Sequence, residues 1–485
     1  MSESLNDLKS KATSDKKARM DESYRDSLST IDKSGNRVWI YPKKPSGRLT
    51  KYRDMVSFVL LVILFSAPFV RISGEPLVLF NIIDQKFVLF GQVFWPQDFH
   101  LFVIAMLILI IFISLFTVIY GRIFCGWICP QTIFMESVFR KIEYWIEGDW
   151  THQKKLNNQD WDAEKIRKKA LKHGIFLFIS FLIANTFLAY IIGSESLIEI
   201  ISDNPAKHLT GLGAITVFSF VFYFVFSSLR EQVCTTICPY GRLQGVLLDK
   251  NSIVVAYDYG RGEDRAKFKK NEDRAAAAKG DCIDCKQCVH VCPTGIDIRN
   301  GTQLECVNCT ACIDACDSIM EGVGLPKGLI RYASENEIAT GEKFKFTPRV
   351  IAYTALLTAL VVGLGLLLLT RTDVESMILH TPGTMPQIND TEETIKNLYN
   401  YKIINKSKDE IILQFIPQND AVEVSIIGDR NNIVVPAQTV TEGALFLTMH
   451  NEDIKQLKTT VAIDVVSENE IIEEIETMFL GPVMR

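Results

Sequence analysis

Residues 282–292 read CIDCKQCVHVC and residues 306–316 read CVNCTACIDAC. Both are C-x2-C-x2-C-x3-C. Thiols separated by two residues let one tight loop wrap three irons of a cubane, and in paired runs of this kind the fourth thiol ligates the other cluster. The two runs therefore predict two [4Fe–4S] clusters. Cys282, Cys285, Cys288 and Cys316 would hold one; Cys306, Cys309, Cys312 and Cys292 would hold the other. Zinc also takes four thiolates, but its sites usually combine two C-x2-C pairs rather than two runs of four. Pro293 follows Cys292, whereas Asp317 stands where ferredoxins usually carry a second Pro. That departure is expected to change local turn geometry and hydrogen bonding more than ligation.

The chain has 12 cysteines, and the other four also come in pairs. Cys125-Gly-Trp-Ile-Cys129-Pro130 and Cys234-Thr-Thr-Ile-Cys238-Pro239 repeat one C-x3-C-P motif. An x3 gap places both sulfurs on one helix face if the helix continues that far. Soft thiolates suit a further iron–sulfur centre or copper, a dithiol–disulfide relay, or plain buried packing, and the spacing leaves these readings open. Short repeated Cys spacings read as metal ligands rather than disulfides. His100, His173 and His208 near apolar segment ends read as hydrogen-bonded residues, and His290 as a cluster neighbour. The outer methionines Met377, Met385, Met449, Met478 and Met484 have no regular spacing and read as core or surface. No haem-attachment, dinucleotide or Walker motif is present.

Five segments are apolar and almost uncharged: Met55–Val70, Phe99–Tyr120, Gly174–Ile192, Leu209–Leu229 and Val350–Thr370. A span needs about 20 apolar residues, so the first is short. Lys and Arg number thirteen in residues 1–53 and ten in 121–172, against Lys207 alone in 194–208. By the positive-inside rule the N-terminus and the cysteine-rich segment lie inside and the C-terminus outside. The first 50 residues lack the apolar run of a signal peptide. Residues 75–97, broken by Asp84 and Lys86, read as interfacial on the outer side. Residues 132–147, with Glu136, Arg140, Lys141 and Glu143, read as an amphipathic helix on the inner surface.

This divides the chain into a cytoplasmic tail (1–53), four spans carrying both C-x3-C-P motifs (54–229), a cytoplasmic segment (230–349) with the ferredoxin region at about 275–325, a fifth span (350–370), a linker (371–390) and an outer domain (391–485). In the outer domain short runs such as EIILQFI, AVEVSII and TTVAIDVV alternate apolar and polar residues between polar turns. They predict an all-β immunoglobulin-like sandwich of about seven strands. The fold class is thus a polytopic α-helical membrane protein with an inserted α+β ferredoxin domain and a C-terminal β-sandwich. The net charge of −5 and the lack of a basic, aromatic-interleaved patch argue against nucleic acid as a partner.

FGQVFWPQD (90–98), GRIFCGWICPQT (121–132), REQVCTTICPYGRLQ (230–244), YDYGRGE (257–263) and the block 280–320 together resemble the FixG/CcoG family of cytochrome c oxidase accessory proteins. The resemblance spans about residues 37–485. Similar cysteine motifs occur in membrane ferredoxins of nitrate and nitrous oxide reductase systems, so the combination carries it. It implies a bacterial inner-membrane protein that reduces Cu(II) to Cu(I) while a cbb-type haem–copper oxidase matures. The implied partners are that oxidase's subunits, copper-handling proteins and membrane lipid. Cys125, Cys129, Cys234 and Cys238 would then be the electron exit or copper contact. The alternatives are a quinol-linked conduit to a periplasmic reductase and a non-redox assembly scaffold.

Overall fold

The computed structural model describes residues 29–481, apart from 33, 73, 83–85, 96–97, 271, 275, 343–344, 390–392, 408, 429–431, 455 and 468–469. Residues 1–28 of the expected tail, Asp84 and Met484 thus lie outside the described residues. The chain divides into two units. One runs to residue 91 and covers 102–363; the other covers 92–101 and the chain from 364.

Four helices among the described residues are long and apolar enough to cross a membrane: Phe99–Tyr120, Ala163–Ile192, Pro205–Leu229 and Pro348–Leu369. Phe102, Leu109, Val217 and Val361 stay exposed on them, as a lipid-facing surface requires. Of the remaining expected span, Met55–Val70, residues 55–66 fall in helix Arg48–Ser66 and the last four lie beyond its end. That helix does not meet the same measure, because Arg48, Lys51, Arg53 and Asp54 fill its first two turns. Its start is instead built into the cysteine-rich segment. Asp314, inside the second cysteine run, accepts from the backbone N–H of Leu49 and Thr50 and from the Thr50 hydroxyl. This caps a helix some 260 residues away in sequence and offsets its dipole. Gly47 makes the approach possible: its φ is +156°, and a Cβ there would lie 2.2 Å from Asp314 Cγ. Arg53, buried, donates to the Cys309 carbonyl at 3.0 Å. Part of the expected tail is therefore a strap across the cluster region.

Residues 130–146 correct the surface-helix reading. They form helix Pro130–Thr132, a π-helical stretch Ile133–Phe139 and helix Arg140–Ile146. Phe134, Met135 and Phe139 pack with Phe176, Ile183 and Phe226 in one apolar cluster. Arg140 and Glu143 are buried too, while Lys141 stays exposed. Arg230 makes a bidentate pair with Glu143 at 2.7 and 2.8 Å. Lys172 bridges Glu143 and Glu147 at 3.6 and 2.9 Å, and Arg140 holds Glu136 at 2.9 Å. Burial would raise the Glu143 pKa, but Arg230, Lys172 and Arg140 outweigh it and hold it at about 2.

Glu143→Gln should therefore leave buried cations uncompensated and cost about 3–5 kcal/mol. Because the folded-state pKa is depressed below the ordinary 4.5, the wild-type contribution is present above pH 4.5 and lost as pH falls towards 2. Thermal midpoints of the detergent-solubilised protein should show a drop for the variant at pH 7 and convergence with wild type near pH 2–3. An unchanged midpoint at pH 7 would refute the network's role.

The cysteine-rich segment sits between strands Val254–Tyr257 and Ile330–Ala333, which pair antiparallel. It carries a short helix Gln287–His290 and a longer one, Ala311–Gly322. The longer helix runs through Cys316 and Asp317, which a Pro at 317 would have broken. Asp317 also accepts from the Gly328 N–H at 2.8 Å.

The second unit is a β-sandwich of nine strands among the described residues. One sheet orders Val422–Ile426, Val440–His450, Thr394–Asn405 and Val374–His380, with Gln387–Asn389 also on Thr394–Asn405. The other orders Ile433–Val435, Ile411–Pro417, Lys458–Ser467 and Glu470–Leu480. Ile395, Tyr399, Leu413, Leu445, Ile463 and Phe479 fill the space between them. The stretch 371–390, expected as a linker, holds two of these strands: Val374 and Ile378 are core residues and Leu379 faces out. Asp98, 4% exposed, pairs with Arg371 at 2.7 Å and Lys406 at 2.9 Å in this unit.

Candidate functional site

The eight ferredoxin cysteines gather around two adjacent cavities of the first unit. Cys282, Cys285, Cys288 and Cys316 line one, with Tyr257 and Arg299. Cys292, Cys306, Cys309 and Cys312 line the other, and Cys288 borders it as well. The two runs fold alike. Asp284 and Lys286 flank Cys285 with φ of 53° each; Asn308 and Thr310 flank Cys309 with φ of 52° and 64°. Left-handed residues on both sides of a middle cysteine curl the backbone into an N–H-lined concavity suited to an anion. An iron–sulfur cubane with four thiolates is such an anion. Among the described residues no three His, Cys, Asp or Glu side chains are close enough to hold a single metal ion. Four thiols at each of two adjacent cavities are the donor set that a pair of cubanes needs.

Burial, reinforced by neighbouring cysteines, lifts the thiol pKa of Cys292 to about 11 and of Cys306 and Cys316 to about 12. Burial thus favours the protonated form of these three, whose protons metal binding must displace. Arg299 answers part of the charge: it pairs with Asp284 and Asp297, both at 2.6 Å, and lies near Cys288.

The two C-x3-C-P motifs take the same backbone form. Cys125 lies in the turn Ile123–Trp127 and Cys234 in the π-turn Val233–Ile237. In each the second cysteine closes a bond five residues back, Cys129 N–H to Phe124 O at 2.9 Å and Cys238 N–H to Val233 O at 2.8 Å. Each is then extended, with ψ of 124° and 115°, and Pro opens the next helix. A residue before Pro avoids the α region and Pro favours the first helical position. The helix therefore does not continue through the motif, and the single-face condition is not met. The two motifs are brought together all the same. The thiols of Cys125, Cys129, Cys234 and Cys238 are close enough to influence one another, and burial, then these neighbours, pushes Cys234 up to about 12.

This tetrad lies beside the second cavity. Cys125 and Cys234 pack against the cluster formed by Val291, Val307, Cys309 and Ala311, with Cys312 alongside. Gly126 allows the contact, since a Cβ there would lie 2.4 Å from the Val307 carbonyl oxygen. Gln244 donates to Cys125 Sγ at 3.3 Å, and the buried Arg122 donates to Gln244 and to the Gly241 carbonyl. Arg122 also lies near Cys306. One guanidinium thus sits between the tetrad and the second ferredoxin cavity. Sequence reasoning missed Arg122, Gln244, Arg53 and Asp314. Arg122 and Gln244 stand within a few residues of the motifs, but no periodicity marks them.

The histidines stay clear of the thiol sites, apart from His290. His173 Nδ1 bonds Tyr223 at 2.8 Å, His208 meets Asp203 at 3.2 Å, and His290 stacks on Trp150.

Comparison with known proteins matches three stretches to family models. Residues 229–335 match a "4Fe-4S dicluster domain", 100–154 a "4Fe-4S binding domain" and 364–482 the "IG-like fold at C-terminal of FixG". The nitrogen fixation protein FixG of Rhizobium meliloti is 33% identical over 80% of this chain and 79% of its own length. Protein RdxB of Cereibacter sphaeroides is 34% identical over 83% of this chain and 87% of its own. A solved FixG-related protein from Vibrio parahaemolyticus aligns along its whole length with 23% of this chain, at 16% identity and a TM-score of 0.21.

Proposed function

The chain belongs to the FixG family of membrane iron–sulfur electron-transfer proteins, and on that premise we propose that it reduces Cu(II) to Cu(I) for the maturation of a cbb-type haem–copper oxidase. Cys282, Cys285, Cys288 and Cys316 hold one [4Fe–4S] cluster, and Cys292, Cys306, Cys309 and Cys312 the other. Bound there, such a cluster supplies one electron at a time, which is what Cu(II) takes up on becoming Cu(I). The Cys125, Cys129, Cys234 and Cys238 tetrad is where copper meets the chain. Thiolate is a soft ligand and favours the Cu(I) product, and Arg122 offsets the negative charge that collects there. One observation carries this reading: Cys125 and Cys234 pack against the cluster of Val291, Val307, Cys309 and Ala311, which includes a cysteine of the second cavity.

In this reading the N-terminus and the cysteine-rich unit face the cytoplasm of a bacterial inner membrane, and the sandwich faces the periplasm, where it docks oxidase subunits or copper-handling proteins. Helix Arg48–Ser66 enters the bilayer with its apolar C-terminal half as a fifth span.

The test uses anaerobic full-length protein, reduced with dithionite and freed of excess reductant, then given Cu(II) and a Cu(I)-specific chelator. Copper reduction should track cluster reoxidation and outpace a buffer control. Cys125→Ser with Cys234→Ser should slow it at least about tenfold with iron content intact. Reduction no faster than buffer would sink the proposal, and loss of iron from the variant would make the tetrad a cluster site instead.

A further inference from the structure

The two ferredoxin sites fold alike, yet the fixed charges around them differ. Some of those charges match. Arg53 and Arg274 are 4% and 7% exposed; Arg53 donates to the Cys309 carbonyl at 3.0 Å and Arg274 to the Cys282 carbonyl at 3.2 Å. Asp281 and Glu305 precede the first cysteine of either run, and both are partly exposed. Asp314 stands on the helix between Cys312 and Cys316, so its charge bears on both sites.

The remaining charges do not match. At the first site Arg299 is paired with two carboxylates, Asp284 and Asp297. Arg261, near Cys316, is taken up by Asp281. Asp317 adds a further carboxylate beside Cys316, where the second site has the neutral Pro293 after Cys292. Lys286 lines the first cavity but is exposed, so water screens it. At the second site Arg122 lies near Cys306 and is 3% exposed. Its hydrogen bonds go to the Gln244 side-chain oxygen and the Gly241 carbonyl, both neutral, and its Nη1 has no partner among the described residues. It forms no ion pair among the described residues. The position is built for the guanidinium, since a Cβ at Gly241 would stand 3.0 Å from Arg122 Nη2. Arginine does not lose its proton in a protein, so a full and uncompensated charge is fixed there.

We propose that Arg122 holds the reduction potential of the second cluster above that of the first, so that an electron given to the pair rests beside the Cys125 and Cys234 motifs. The proposal rests on the electron-transfer reading above and gives that reading its direction. Each added electron makes a thiolate-bound cubane more negative, and nearby charge sets the potential at which it is taken up. A buried cation favours uptake and a carboxylate opposes it, both more strongly than in water. The exposed Cys285 works the other way, because water around it favours the more charged state of the first cluster. That contribution is a partial solvation of one thiolate, against a whole charge in a dry site. In the transfer one electron leaves the first site, which is oxidised, and reduces the second; no bond breaks and no proton moves. Arg122 is a positioning residue here, acting through the potential of a group it does not ligate.

The experiment is a potentiometric titration of the anaerobic full-length protein with dithionite, read by electron paramagnetic resonance of the reduced clusters. Two waves are expected. Cys309→Ala, which keeps the first cluster, should retain the lower wave, and Cys316→Ala the higher one. Arg122→Gln should lower the higher wave by at least about 59 mV, a tenfold change in the ratio of reduced to oxidised form for one electron. The lower wave should move less than threefold in that ratio. Arg122→Lys, which keeps the charge and loses the fork, should restore most of the shift. Asp317→Asn, which still offers an oxygen to the Gly328 N–H, should raise the lower wave alone. The reverse order of waves in the two single-cluster proteins overturns the proposal without any arginine variant. An Arg122→Gln protein in which both waves move equally, or neither moves, overturns it too. No copper enters the titration, so potentials as expected alongside absent copper reduction would count against the copper reading alone.

Discussion

Cys316→Ala should lower bound iron from about eight to about four per chain, Cys309→Ala should do the same, and the double variant should bind almost none. The arithmetic separates two ways of sharing eight thiols. If each run of four held its own cluster, Cys309 and Cys316 would serve the same cube, and the double variant would keep about four irons. The structure places them on different cavities: Cys309 with Cys292, Cys306 and Cys312, and Cys316 with Cys282, Cys285 and Cys288. Helix Ala311–Gly322 explains the exchange, since Cys312 and Cys316 are one turn apart on it and each borders a different cavity. The functional consequences should also differ. Cys309 belongs to the cluster against which Cys125 and Cys234 pack, so its loss should lower copper reduction more than Cys316→Ala does. Iron and sulfide analysis of the three proteins, with copper-reduction rates, decides it; about four irons in the double variant would overturn the crossed arrangement.

The sequence made the cysteine runs legible because ligand spacing is local: four thiols within eleven residues state their purpose without knowledge of the rest of the fold. The sandwich was legible for a related reason, since Val461, Ile463 and Val465 alternate whatever they face. Its margins were harder. Val374–His380 carries Asp373 and Glu375 at one end and Thr381-Pro382-Gly383 at the other, so its buried Val374 and Ile378 passed for a connector. Glu470–Leu480 buries Phe479 but carries four glutamates, which obscure its alternation.

Charge was the deeper difficulty. Glu136, Arg140 and Glu143 on an apolar helix read as a solvated face, because a single sequence does not distinguish a charge in water from one neutralised by a distant partner. The distant partners here are Arg230 and Lys172, which other segments bring to Glu143. The same holds for Arg53 on the Cys309 carbonyl and Asp314 at the start of helix Arg48–Ser66. Each such contact joins the cysteine-rich segment to the helices that carry it, over separations that no motif spans.

Gly126→Ala should uncouple the C-x3-C-P motif from the ferredoxin cavity and lower copper reduction at least about tenfold. Its backbone is helical with negative φ, so alanine fits the conformation and is intrinsically the better helix former. Any loss must come from space. The added methyl would stand 2.4 Å from the Val307 carbonyl oxygen and 3.0 Å from the carbonyl carbon and oxygen of Asn308. These are backbone atoms between Cys306 and Cys309, so they cannot retreat without moving thiols. Overpacking of this kind costs about 1–3 kcal/mol where side chains can give way, and backbone gives way less. The strain has two outlets. The motif can shift outward, drawing Cys125 away from Cys309, or the loop can shift and loosen its cluster. The first lowers the rate with iron content intact; the second lowers both. Gly174→Ala is the control: it also sits in a helix, with no atom within 4 Å of the added methyl, and should leave the rate unchanged and the thermal midpoint no lower. If Gly126→Ala matched it in rate, iron content and midpoint, the contact between Gly126 and the Val307–Asn308 loop would not be the coupling between thiol tetrad and cluster, and the electron route proposed through it would fail.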